Sequence, residues 1–325
     1  MSFPRRGPTM FPARFTTTGR RSRKRWLAGA ATAATAVAAA LVIPFYAGAA
    51  TVGDTYVALG DSYSAGVGAS PYLSNAATIP PVDTLTVIKP PSNVDYISDC
   101  KRSTKSYPAL LATEFGKAEG FIESFTFAAC SGATTTEVLQ RQWAALGPET
   151  SLVSLTIGGN DIKFADAMAE CANPLVLFPD CQGKINQSLQ ILRDDLPKKL
   201  QDTYTTILSQ APNARLKVLG YPKLFDEQGT CSIVEKVFNP SPEKRREMND
   251  AAEELSQAIH AAVADVGGKI QFIDVQPQFD GHGICGPDPY LTEPKDNLTS
   301  TGDSYHPNAK GYDAYKHALQ TALGA

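Results

Sequence analysis

The run Thr55-Tyr56-Val57-Ala58-Leu59-Gly60-Asp61-Ser62-Tyr63-Ser64-Ala65-Gly66 opens on a short, β-prone apolar stretch and halts at a small-residue turn. It reads as a buried strand that ends in a loop, with Ser62 at the start of a helix. Further strand-like runs follow over residues 124–129, 152–157, 216–219 and 270–275. Helical patterns lie between them, clearest over 184–209 and 243–266, and residues 308–323 close the chain as a last helix. Strands alternating with helices predict one α/β domain, a five-stranded parallel sheet covered by helices on both faces in a three-layer α/β/α sandwich. Two segments break this rhythm, the proline-rich residues 70–106 and the Gly, Pro and Asp-rich residues 278–302. Both read as long loops.

At 325 residues and 43% hydrophobic content the chain can bury a sizeable core. Of its 30 Lys and Arg residues, eight lie before residue 50 (Arg5, Arg6, Arg14, Arg20, Arg21, Arg23, Lys24, Arg25), where there is no acid. The remaining 22 basic residues face 33 acidic ones, a net charge of −11. A surface that acidic repels phosphate backbones and argues against a nucleic-acid partner. The N-terminus reads as an address: a basic stretch over 20–25, an uncharged run from Trp26 to Tyr46, then Ala47-Gly48-Ala49 as a small-residue cleavage site. Residues 1–49 are therefore expected to be a signal peptide, with the folded domain over 50–325 and the protein secreted. The alternative is an uncleaved anchor, since the uncharged run is just long enough to span a bilayer. The Arg20-Arg21 pair leaves both Sec and twin-arginine export open.

Six cysteines, Cys100, Cys130, Cys171, Cys181, Cys231 and Cys285, all follow the signal, an even count that suits disulfides in an oxidising compartment. The count alone allows 15 pairings. A metal site is not expected, because there is no C-x-x-C pair and no cysteine at ligand spacing from a histidine.

In parallel α/β sheets reactive groups gather at the carboxyl ends of strands. After the first strand comes Gly60-Asp61-Ser62, a tight turn and a serine, which could equally be a helix N-cap. After the second comes Ala129-Cys130-Ser131-Gly132, where glycine lets the backbone approach a ligand and offer its N–H. The third ends in Gly158-Gly159-Asn160-Asp161, where a side-chain amide is an oxyanion donor or a cap. Asp303-Ser304-Tyr305-His306-Pro307 precedes the last helix, and a carboxylate three residues before a histidine can fix its tautomer so that the other nitrogen accepts a serine proton. Each block has a bland reading, but four in order share one chemistry.

These four blocks resemble the SGNH (GDSL) hydrolase family of esterases and lipases, named for the Ser, Gly, Asn and His of its blocks. The resemblance spans the whole chain after the signal. It implies Ser62 as nucleophile, His306 as base and Asp303 as the acid of a full triad, with the Ser62 N–H, Gly132 and Asn160 in the oxyanion hole. Here the first block reads G-D-S-Y where the family has G-D-S-L, a difference at a packing position. The chain is also similar to the secreted actinobacterial branch, which implies disulfides Cys100–Cys130, Cys171–Cys181 and Cys231–Cys285. Some relatives in that branch lack the acid and orient the histidine through a backbone carbonyl. The expected protein is a monomeric esterase or lipase of acyl esters, without metal or organic cofactor, touching lipid surfaces transiently. A polysaccharide O-acetylesterase and a catalytically silent binding protein are the alternatives. The nucleophile elbow G-x-S-x-G, the zinc motif H-E-x-x-H and the phosphate loop are all absent.

Overall fold

The computed structural model describes residues 53–73, 85–86, 100–115, 121–172, 180–231, 241–293 and 302–324. The expected signal peptide lies outside them. All five predicted strands form: β1 (Asp54–Ala58), β3 (Ile122–Phe127), β4 (Leu152–Leu155), β5 (Arg215–Leu219) and β6 (Ile270–Ile273). A two-residue strand, β2 (Leu85–Thr86), adds to the edge beside β3. It falls within the segment read as loop, where two residues are too few to show a period. The order β2-β3-β1-β4-β5-β6 is parallel throughout.

Side chains alternate across β1 and split the core in two. Tyr56 and Ala58 join one buried cluster with Phe125, Phe127, Tyr312 and Tyr315, while Val57 and Leu59 join another with Leu155, Leu200, Val218 and Ile259. A strand buried on both faces needs a helix layer on each side, and the sequence supplies both. On the first face lie α2 (Tyr107–Leu110) and α9 (Ala309–Leu323); on the second lie α6 (Leu196–Gln210) and α7 (Pro242–Val266). The helical pattern over 184–209 resolves into α5 (Cys181–Asp194) and α6, broken at Asp195 because Pro197 lacks the N–H an unbroken helix needs. Between β1 and β4 lie the short helices α1 (Ser62–Ala65) and α3 (Thr135–Glu137), and α4 (Phe164–Ala172) and α8 (Gln276–Phe279) follow further along.

Three disulfides close loops on this frame: Cys100–Cys130, Cys171–Cys181 and Cys231–Cys285. The chain leaves β1 for β3 on one side and then returns to β4 on the other, so the strand order reverses at β1. Ligands in open α/β sheets bind at the carboxyl ends of strands flanking such a switch point.

Candidate active site

At the carboxyl end of β1 the chain must turn sharply, and Gly60 does so at φ +116°, where a Cβ would collide with the Thr156 carbonyl. Gln142 holds that turn from both sides: its Oε1 accepts from Gly60 N at 2.7 Å and its Nε2 donates to Gly60 O at 2.9 Å. Asp61 then caps α1 by accepting from Tyr63 N at 3.0 Å. Ser62 is thus the first residue of a one-turn helix and not its cap. Only 8% of the residue is exposed.

His306 arrives from the other end of the chain. Asn308 caps α9, accepting from Lys310 N and Gly311 N while donating to Pro289 O, and Thr292 N donates to His306 O at 2.7 Å. These bonds fix the loop so that His306 Nε2 lies 2.8 Å from Ser62 Oγ. Nδ1 lies 3.0 Å from the Ser304 carbonyl. A carbonyl oxygen only accepts, so Nδ1 carries the proton and Nε2 presents its lone pair to the serine hydroxyl. Burial pushes the imidazole pKa down to about 4; the Ser304 carbonyl and the Asp303 charge oppose the fall, and the Lys101 ammonium adds to it.

The expectation of Asp303 as the orienting acid is corrected here. Its carboxylate pairs with Lys101 Nζ at 3.1 Å, and the ring nitrogen it was expected to meet is taken by the Ser304 carbonyl. The physical reason is local: the Ser304 carbonyl, two residues before the ring in a loop where Tyr305 adopts φ +65°, occupies Nδ1, and the Asp303 carboxylate is engaged by Lys101.

Gly132 has φ +81° and faces open space, since a Cβ there would meet nothing within 4 Å. Among the described residues neither its N–H nor that of Ser62 has a protein acceptor. Asn160 Nδ2 donates to Ala133 O at 2.9 Å, which anchors the amide and leaves its second N–H to point elsewhere. Asp161 braces this block against the Gly132 block by accepting from Thr135 N and Thr135 Oγ1 at 3.0 and 2.6 Å. Ser62 and His306 thus meet directly, and the Asn160 side chain meets the Gly132 block through Ala133; a serine against a neutral imidazole can be activated as a nucleophile.

Several residues behind the site were not singled out by sequence reasoning. The Tyr221 hydroxyl donates to Asp61 Oδ2 and accepts from Gly159 N at 3.2 Å, joining the serine block to the asparagine block. Thr156 Oγ1 donates to Asp61 Oδ1 at 2.6 Å. Burial still dominates, and the Asp61 pKa rises to about 6. Tyr63, read as a packing position, does pack against His306 and Tyr221, but its hydroxyl also donates to the Tyr305 carbonyl at 2.7 Å. Arg102 is buried and donates to the carbonyls of Ala128 and Ala129 at the end of β3. No local signal marks these partners, which lie far apart in sequence.

Residues 58–314 match the model of the GDSL-like lipase/acylhydrolase family. The chain belongs to this family. It is a carboxylic ester hydrolase, as the resemblance implied. A Streptomyces coelicolor protein named Lipase 1 is 37% identical over 79% of this chain and 82% of its own length. A Streptomyces rimosus lipase is 38% identical over 79% of this chain and 81% of its own. Among solved structures, an extracellular lipase from Streptomyces rimosus aligns at TM-score 0.67 and 36% identity, covering 83% of this chain and 99% of that one. A phospholipase A1 from Streptomyces albidoflavus aligns at TM-score 0.68 and 37% identity with the same coverage. The hydrolase thus shares the family's sequence blocks and its sandwich.

Proposed function

We propose that this GDSL-family hydrolase is an exported lipolytic enzyme that cleaves the acyl esters of lipids through an acyl-serine intermediate. The observation that carries the reading is the 2.8 Å contact between Ser62 Oγ and His306 Nε2 at the strand-order switch. Ser62 Oγ attacks the ester carbonyl while its proton passes to Nε2, and the carbonyl pair moves onto oxygen. Ser62 N–H, Gly132 N–H and the second Asn160 amide hydrogen receive that oxyanion. The imidazolium then gives its proton to the leaving alcohol as the C–O bond breaks. Water repeats the sequence on the acyl-enzyme, with His306 again taking and returning the proton. The Ser304 carbonyl holds the tautomer throughout. Lipid esters are favoured over short acetyl esters because the relatives are named as lipases and a phospholipase A1.

Residues 1–49 serve in this reading as a signal peptide, and the hydrolase works outside the cell as a monomer that meets lipid surfaces transiently. Secreted protein whose N-terminus begins near Ala50 is the material for the test. Assayed on nitrophenyl esters of increasing chain length, triglycerides and phospholipids, it should favour long acyl chains; activity confined to acetyl esters makes it a deacetylase. Ser62→Ala and His306→Ala should each reach background, with the double variant little worse. Asn160→Ala should lose about 10²–10³ in turnover with little change in KM. A folded Ser62→Ala that hydrolyses esters at the normal rate overturns the serine mechanism.

A further inference from the structure

Lys101 enters the site from a stretch that none of the four blocks contains. It follows Cys100, whose bridge to Cys130 ties it beside the Gly132 block, and its own backbone is left-handed at φ +49°. Its ammonium lies 3.1 Å from Asp303 Oδ1 and 5.8 Å from the centre of the Tyr72 ring. Both charged side chains are only about one-third exposed, so water screens the pair incompletely. His306 senses the two with opposite sign: the carboxylate favours its protonated form and the ammonium opposes it. On its other sides His306 meets Ser62 and the Tyr63 ring of α1, with the cap Asp61 buried beyond them. Tyr305, in the same loop, turns its ring to Phe225, and Tyr72 accompanies Lys101. Lys101 is thus the cation among the described groups that stand around the ring.

We propose that Lys101 and Asp303 form a neutralised pair whose opposed charges together set the basicity of His306, with Asp303 acting by its charge and not by orienting the ring. When His306 takes the Ser62 proton, an unpaired ammonium at that position would repel the new imidazolium, and the carboxylate cancels it. Lys101 and Asp303 are in this sense positioning residues of charge. The inference rests on His306 being the base, as in the proposed function.

A charge cycle tests it. Asp303→Asn leaves Lys101 unpaired, so kcat/KM should fall on the order of tenfold and its acid limb should move to lower pH by about one unit. Lys101→Met leaves the carboxylate unopposed and should move the limb the other way. The Lys101→Met/Asp303→Asn double variant should return both limb and rate to within about threefold of the parent, because neither charge remains. A double variant as slow as Asp303→Asn, with its limb equally displaced, means that Lys101 exerts no charge on His306 and overturns the proposal. Rate losses without any movement of the limb mean that the pair only braces the loop, which overturns it as well. If the methionine variant does not fold, Lys101→Gln completes the same cycle. Labelling of Ser62 by a fluorophosphonate tests the serine mechanism itself, so its failure is distinct from failure of the cycle.

Discussion

His306 is held in the one protonation state that its proposed work requires. The ring is buried, its Nδ1 proton is committed to a carbonyl, and the charged form loses more solvation than the nearby carboxylate returns. Its pKa therefore falls from the ordinary value near 6.5 to about 4. A base works only when unprotonated, and one whose pKa is depressed stays unprotonated further into acid. The acid limb of kcat/KM on a soluble ester should accordingly lie well below pH 6.5, close to the value for the buried ring. Steady-state rates from pH 3.5 to 9 check this, and a limb centred at 6.5 or above means that the imidazole is solvated in the working enzyme.

At the scale of elements, the order of strands and helices was legible because each buried strand is a short apolar run ended by Gly or a polar turn. The serine, glycine, asparagine and histidine blocks were legible too, since each lies within a few residues of an element's end. What escaped was anything that depends on a meeting between distant segments. Lys101 and Asp303 are 202 residues apart and Tyr221 and Asp61 are 160 apart. The D-x-x-H spacing is compatible with both a direct carboxylate contact and a carbonyl contact, and spacing alone does not distinguish them. Pro197 signalled a helix break that the apolar periodicity around it masked. The start of α9 carries a prediction of its own. Asn308 satisfies two helix N–H groups and ties the loop to Pro289, so Asn308→Ala should cost about 1–2 kcal/mol in urea unfolding. Because that loop carries His306, kcat should fall as well, while Asn308→Asp, which keeps the cap but loses the donor to Pro289 O, should recover only part of the stability. An alanine variant of unchanged stability removes the cap from this account.

Across the whole molecule, the fold brings together two groups 244 residues apart in sequence, Ser62 on the first strand's turn and His306 before the last helix. The sheet's reversal at β1 places the serine, and the Asn308 cap and the Thr292–His306 backbone bond hold the remote loop. Such an arrangement is only as durable as the long loops it closes. The three disulfides span sequence separations of 30, 10 and 54 residues. If they act mainly by restricting the unfolded chain, their contributions grow with the logarithm of loop length, each roughly 2–4 kcal/mol. Cys231–Cys285 should then exceed Cys171–Cys181 by about 1.5 kcal/mol, with Cys100–Cys130 between them. Paired Cys→Ala variants compared by urea unfolding give the ranking directly. The longest loop also leads to the Leu291–Pro307 bridge that precedes α9, so losing its disulfide should shorten the half-life of activity at elevated temperature most. A ranking led by Cys171–Cys181 means that native contacts at the junction of α4 and α5, and not chain entropy, determine what each bridge contributes.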